Sequence, residues 1–202
     1  MRKLSHSELL SRQEKQSQAK ETISLSVVLN DVRSLYNVGS IFRTADGAGV
    51  EKIWLSGITG TPETERSRIG KTALGAEKKV PWEYQKDPLI PIRELKKKGY
   101  EIVLLEQIEE SIPYQEYQPK GPVCLVIGNE ISGVSNELLG LADQAIEIEM
   151  SGLKNSLNVT VAFGIAAYHI KNCFAKRSSL RGTSQLRPKQ SLSSEIASLR
   201  SQ

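Results

Sequence analysis

Short apolar runs alternate with amphipathic segments along most of the chain, and this alternation predicts an α/β fold. The apolar runs are short and rich in β-branched residues, as is typical of strands buried on both faces of a sheet; they lie at 25–29, 52–56, 80–84, 101–105, 123–127 and 145–148. Helical patterns precede or separate them, at 5–20, 37–50, 88–98 and 135–141. Together they predict a mostly parallel six-stranded sheet with helices on both faces.

The longest apolar stretch, within residues 151–176, follows the last predicted strand and begins with a polar group of residues, KNSLN at 154–158. Apolar side chains on both sides of this stretch, rather than in one stripe, predict a helix that is buried on most sides. Asn155 or Ser156 is the predicted N-cap. A buried helix with a polar amino end indicates a functional site at that end.

Polar loops follow three of the predicted strands, at 30–37, 128–133 and 149–158. Because ligands of parallel sheets bind outside the carboxyl ends of the strands, we expect these loops to form the binding site. Residues 57–77 show little periodicity and contain several basic side chains, so they are interpreted as a long functional or mobile loop.

The 202 residues are enough for one domain with a core of ample size. The predicted limits are a basic helical extension at 1–22, a central domain at 23–177 and a flexible, basic, serine-rich tail at 178–202. Of the net charge of +4, residues 1–20 and 178–202 each contribute +3, which leaves the central part slightly negative. Basic ends of this kind are expected of arms that contact nucleic acid, and equally of solvated tails.

Several function classes lack their sequence signatures. Cys124 and Cys173 are far apart and have no zinc-site spacing, which favours a reduced, cytoplasmic location. No apolar run is long enough to predict a membrane span.

The only histidines are His6 and His169, so neither a Ser-His-Asp triad nor a histidine metal site is predicted. His169 is interpreted as a packed or interface residue. Gly128–Gly133 lacks the lysine that a P-loop requires after its second glycine.

Asparagine, arginine, glutamate and serine side chains therefore remain at the strand ends. This set contains no strong acid or base, and it suits a reaction that needs orientation, charge stabilisation and an activated cofactor. Arg43 is unusual because it lies among apolar residues of a predicted helix. It is either a functional cation or one partner in a salt bridge to Asp46 or Glu51.

Three segments resemble the motifs of the SpoU/TrmH family of RNA 2′-O-methyltransferases, which belongs to the SPOUT class. They are NDVRSLYNVGSIFRTADGAGV at 30–50, LVIGNEISGVS at 125–135 and IEIEMSGLKNSLNVTVA at 146–162. The resemblance implies a trefoil knot in the carboxyl-terminal part of the sheet domain, a homodimer, and S-adenosylmethionine as cofactor. By motif position it implies backbone contacts to the cofactor from Gly128, Ile148, Leu157 and Leu105. It also implies catalytic and RNA-site roles for Asn37, Arg43, Glu130, Ser156 and Asn158.

The activity implied by the resemblance is methyl transfer to a ribose 2′-hydroxyl, with tRNA as the expected substrate. Because an arginine guanidinium stays protonated, we interpret Arg43 as a cation that stabilises the developing alkoxide rather than as a base. The resemblance leaves open whether Arg43 acts in its own subunit or in the partner's. Ribosomal RNA is an alternative substrate, and a non-catalytic RNA-binding or assembly factor is an alternative function. Arg33–Tyr36 and Glu149 depart from the Asn-Pro and Pro-Met sequences of many relatives.

Overall fold

The computed structural model describes residues 1–18 and 24–184. Its strands are β1 (Leu25–Asn30), β2 (Lys52–Ser56), β3 (Trp82–Gln85), β4 (Glu101–Leu105), β5 (Ile112–Pro113), β6 (Val123–Ile127) and β7 (Gln144–Glu147). They form one sheet in the order β3-β2-β1-β6-β4-β7-β5, and every pair of neighbours is parallel. The predicted number of six strands is wrong by one, because β5 has two residues and leaves no apolar run in the sequence.

The helices are α1 (His6–Gln18), α2 (Leu35–Ala48), α3 (Arg66–Ala73), α4 (Leu89–Lys97), α5 (Asn136–Leu139) and α6 (Val159–Ser184), with a 3-10 helix at Ala76–Lys78. Residues 57–77 therefore contain a helix where the sequence predicts a loop. The pattern of α3 is hard to read because only Ile69 and Ala73 are buried among its eight residues. Helix α6 continues through residues 178–184, which are predicted to belong to a flexible tail. Residues 19–23 of the linker after α1 and 185–202 of the tail lie outside the described residues.

Helices cover both faces of the sheet, as the alternation of elements predicts. On one face, α2, α3 and α6 pack on alternate strand residues such as Val27 and Leu29. On the other face, α4 and α5 pack on residues of opposite orientation such as Val28. The central strands β1 and β6 are buried along their whole length, so each of their aliphatic side chains contributes about 1.5–3 kcal/mol of hydrophobic stabilisation.

Helix α2 is held at both ends by its own sequence. Ser34 is its N-cap and accepts a hydrogen bond from the backbone N–H of Asn37 at 3.3 Å. Gly49 ends the helix with φ of 83°, a left-handed conformation that glycine adopts without strain. The two caps define the ends of the helix that carries Asn37 and Arg43.

Helix α6 differs from its predicted form at the cap and in its burial. Its N-cap is Asn158, whose side-chain oxygen accepts from the backbone N–H of Thr160 at 2.9 Å, and not Asn155 or Ser156. Phe163 and Ile170 are buried, whereas Val161 and Tyr168 are 49% and 43% exposed. The predicted burial on most sides is wrong for the single chain, because Val161 and Tyr168 mark a side of α6 that the rest of the chain covers only in part. Among the described residues, no helix is long and apolar enough to cross a membrane.

Candidate active site

The carboxyl ends of β1, β6, β4 and β7 are neighbours in the sheet, and the segments that follow β4, β6 and β7 line one cleft. The cleft has a volume of about 450 Å³. Seven of the nine predicted site residues line it: Leu105, Gly128, Glu130, Ile148, Ser156, Leu157 and Asn158. The structure therefore brings the predicted cofactor-binding residues and three of the predicted catalytic residues to the same place.

A hydrogen-bonded network connects one residue from each of the three motifs, and we call it the amide–carboxylate network: Asn37, Glu130 and Asn158. The side-chain amide of Asn37 donates to Glu130 Oε1 at 3.0 Å. The amide of Asn158 donates to Asn37 Oδ1 at 3.4 Å. Asn37 does not line the cleft itself, but these two bonds hold it against residues that do.

Glu130 also binds the backbone that leads into α2. Its carboxylate accepts hydrogen bonds from the N–H groups of Arg33 at 3.0 Å and Ser34 at 3.2 Å. Partial burial acts to raise the pKa of Glu130, but the hydrogen bonds from Arg33, Asn37 and Ser34 outweigh it and lower the pKa below its usual range. An ionised carboxylate whose oxygens are already occupied is a poor general base, and its geometry is that of a clamp between two loops.

The lowered pKa of Glu130 is expected to depend on Asn37. An NMR titration of the Glu130 side-chain carboxyl should give a midpoint below the ordinary glutamate value, and Asn37→Ala should raise it by removing one donor. Because the folded-state pKa is lowered, the stabilisation from this clamp is present above the unfolded-state value and is lost as pH falls through the folded-state value. Asn155→Ala is the control, and an unshifted midpoint in Asn37→Ala would contradict the assigned network.

Arg43 is exposed on α2 and does not line the cleft of its own chain. The salt bridges of the described residues do not include it. Glu51, one of its two predicted partners, instead accepts a hydrogen bond from the Tyr100 hydroxyl at 2.6 Å. The described contacts of Glu51 thus do not include Arg43, and the Arg43 side chain is exposed to solvent, where a ligand can reach it.

Gly128 leaves room for the turn that forms one wall of the cleft. A Cβ atom at this position would lie 2.5 Å from the backbone C and O atoms of Gly133 and 2.7 Å from the N atom of Val134. The turn is closed by two 3.0 Å backbone hydrogen bonds between Asn129 and Gly133. Since no side chain fits between these backbone segments, the glycine is required for the turn to close.

Two polar side chains that are not among the predicted site residues support this turn. The Asn129 side chain donates to the carbonyl of Asp31 at 2.8 Å and accepts from the N–H groups of Ile131 and Ser132. Glu106, which lines the cleft, accepts from the N–H of Val134 at 3.1 Å. Their positions in the sequence could have indicated this region, because Asp31 and Glu106 each directly follow a buried strand. Ligands of parallel sheets bind at that edge.

Two remaining predictions concern Ser156 and His169. Ser156 lies on the exposed wall of the cleft, and its hydroxyl makes no hydrogen bond within the described residues. His169 lies outside the cleft, where its Nε2 is 2.7 Å from the carbonyl oxygen of Tyr117 and its ring stacks edge-on against Tyr114. These contacts support the interpretation of His169 as a packed residue.

Residues 24–168 match the SpoU rRNA Methylase family. The chain belongs to this family. The resemblance of the three motifs is thereby confirmed, and the matched range covers every predicted site residue.

Two similar curated proteins are tRNA (guanosine(18)-2′-O)-methyltransferases. The protein from Aquifex aeolicus is 34% identical over 145 residues, which cover 71% of this chain and 67% of that protein. The protein from Escherichia coli K12 is 29% identical over 153 residues, which cover 74% of this chain and 64% of that protein. The chain thus matches about two thirds of the length of these relatives.

Solved structures show the same fold. The A. aeolicus TrmH/SpoU tRNA modifying enzyme is 30% identical with a TM-score of 0.72, and the match covers 91% of this chain and 90% of that one. An AdoMet-bound rRNA methyltransferase from Sinorhizobium meliloti is 30% identical with a TM-score of 0.67, covering 74% of this chain and 56% of that one.

Proposed function

We propose that this protein transfers the methyl group of S-adenosylmethionine to a ribose 2′-hydroxyl of tRNA. The observation that carries the proposal is the amide–carboxylate network, which joins the three family motifs at the rim of the 450 Å³ cleft. Similarity to tRNA 2′-O-methyltransferases over about 70% of the chain supports both the reaction and the RNA class.

The residues of the cleft fit the cofactor. Its volume lies within the range of about 300–1,000 Å³ that small-molecule sites occupy. Leu105, Ile148 and Leu157 supply an apolar lining, while Gly128 brings bare backbone to the wall, where N–H and carbonyl groups can recognise a purine edge. When bound, S-adenosylmethionine supplies a methyl group on a sulfonium, which is already a good leaving group.

The protein's own residues then have to position and stabilise the nucleophile. Glu130 and Asn37 fix the loop before α2, and Asn158 and Ser156 orient groups at the cleft rim. Arg43 is a protonated donor that stabilises negative charge developing on the 2′-oxygen. This stabilisation is strongest at a site from which water is excluded. In a single chain, Arg43 is instead exposed to solvent.

We infer that a homodimer completes the site. The exposed Val161 and Tyr168 give α6 an apolar face that a second copy can cover, and Arg43 lies outside the cleft of its own chain. We further infer a trefoil knot in the carboxyl-terminal part. The strand order allows it, because β7 pairs with β4 rather than with β6, so the chain after β6 passes β4 to reach its place.

Mixing two variants with impaired activity tests whether Arg43 acts on the partner's cofactor. Arg43→Ala retains an intact cleft, and Gly128→Ala retains Arg43 but loses the cleft wall. If Arg43 acts between subunits, co-refolded or co-expressed mixed dimers contain one complete site and recover methyl transfer. If the mixture stays as inactive as its parents although mixed dimers are demonstrated by affinity tagging, Arg43 acts within its own subunit.

The function itself is tested by mapping 2′-O-methyl groups in total RNA from strains with and without this protein. Loss of a methyl group from tRNA, restored by the wild-type chain, is the expected result. Loss from ribosomal RNA would instead support the alternative that the family description and the S. meliloti structure favour. Absence of S-adenosylmethionine binding in calorimetry would support a non-catalytic RNA-binding factor.

A further inference from the structure

An exposed basic and aromatic surface lies where α3 packs on the first turn of α2, and we call it the α3 platform: Tyr36, Arg68 and Lys71. The Thr72 hydroxyl of α3 donates to the backbone carbonyl of Tyr36 at 2.9 Å. A Cβ atom at Gly39 would overlap Thr72 and the backbone of Ile69, so the two helices are in close contact here. Helix α3 is therefore held against the start of α2, beside Asn37.

The two cations of the α3 platform are placed by helical geometry. Arg68 is four residues before Thr72 and lies on the same flank of α3, toward Tyr36. Lys71 follows Arg68 by three residues and lies next to it on the solvent side. Both side chains are exposed, and the salt bridges of the described residues include neither of them. Two neighbouring unpaired cations favour a polyanion.

The aromatic residue of the α3 platform, Tyr36, indicates which kind of polyanion binds. Tyr36 is 48% exposed, and its hydroxyl makes no hydrogen bond within the described residues. It directly precedes Asn37, whose amide bonds Glu130 at the cleft rim. An exposed aromatic ring near exposed cations is an arrangement with which proteins stack an unpaired RNA base while they bind the adjacent phosphates.

We propose that the α3 platform binds the substrate RNA beside the target nucleotide. Tyr36 stacks on an unpaired base of the RNA, and Arg68 and Lys71 bind phosphates of the same strand. This inference rests on the proposed function and adds to it the surface that presents the RNA to the cleft. The RNA class it requires is one whose target ribose lies next to an unpaired base, as in a loop.

Affinity for an unmodified tRNA transcript, measured by fluorescence anisotropy at several salt concentrations, tests the two cations. The double variant Arg68→Ala/Lys71→Ala is expected to bind more weakly, with a log-affinity against log-salt slope flatter by about 1.4–1.8, or 0.7–0.9 for each lost phosphate contact. The matched control is Lys97→Ala/Lys98→Ala, which removes two exposed cations at the end of α4 on the other side of the sheet. Its slope should stay near that of the wild type.

Single substitutions of Tyr36 test the stacking. Tyr36→Ala is expected to weaken RNA binding by about 5- to 150-fold, while Tyr36→Phe keeps the ring and binds as the wild type does. Cofactor affinity should not change in either variant. If the wild type binds tRNA and transfers methyl groups while all these variants bind tRNA normally, the RNA-binding role of the α3 platform is wrong and the proposed function stands. If the wild type binds no RNA, both fall.

Discussion

Replacement of Arg43 by alanine is expected to reduce methyl transfer by about 10²–10³-fold, the effect of removing one donor to a developing oxyanion. The binding of S-adenosylmethionine should not change, because the apolar lining and the backbone wall of the cleft come from other residues. The fold should also survive, since the side chain is exposed and belongs to no salt bridge of the described residues. The combination of normal binding and lost turnover separates a catalytic role from a structural one.

The measurement is incorporation of labelled methyl groups into tRNA at saturating cofactor, with cofactor affinity determined by calorimetry on the same preparation. Arg93→Ala is the matched control, because it removes an exposed arginine from α4 on the opposite face of the sheet. Arg43→Lys keeps the charge but not the planar fork, so it should recover only part of the activity. Turnover of Arg43→Ala at the wild-type rate would exclude the assigned role.

The parts of the fold that could be predicted from sequence are those in which local pattern and burial agree. The strands β1, β4 and β6 lie in the sheet interior and appear in the sequence as predominantly apolar runs. The strand β5 could not be predicted, because two residues at the sheet edge form it only by pairing with β7. Helix α3 is similar, since its polar sequence becomes helical where Gly39 allows it to pack on α2.

The residues of the candidate site could be predicted from the sequence, but the hydrogen bonds between them could not. The motifs identified the residues, and the rule for parallel sheets located them at the carboxyl edge. The bonds from Asn37 to Glu130 and to Asn158 span 93 and 121 residues of sequence, and no local pattern encodes such pairings. For the same reason, the support that Glu106 and Asn129 give to the cleft wall became visible only in the folded chain.

The exposed face of α6 shows a different limit of the sequence pattern. Apolar residues on both sides of the helix predict that it is buried. They do not indicate whether the same chain or a second chain covers it. Phe163 and Ile170 are fully covered by the rest of the chain, whereas Val161 and Tyr168 are covered only in part. The apolar pattern of α6 and the single-chain structure agree if a second copy of the chain buries the face with Val161 and Tyr168. This agreement supports the proposed homodimer.

Gly128→Ala is expected to have the largest effect on both cofactor binding and stability. The added methyl group would lie 2.5 Å from the backbone of Gly133, and backbone cannot move aside as a flexible side chain can. Overpacking of this kind costs about 1–3 kcal/mol, which corresponds to a decrease in Tm of several degrees for a chain of this size. The turn between Asn129 and Gly133 has to open, and with it the cleft wall, so the affinity for S-adenosylmethionine should fall by about tenfold or more.

The effect of Gly128→Ala has to be separated from the general loss of a flexible glycine. Gly152→Ala provides the comparison, because it lies in the loop between β7 and α6 and a Cβ atom there meets nothing within 4 Å. Calorimetric affinity and thermal unfolding should be near the wild-type values for Gly152→Ala and reduced together for Gly128→Ala. If Gly128→Ala unfolds at the wild-type temperature and binds the cofactor normally, the Gly128 turn does not form the wall of the cofactor site. If only stability falls, the turn is structural and the cofactor binds elsewhere.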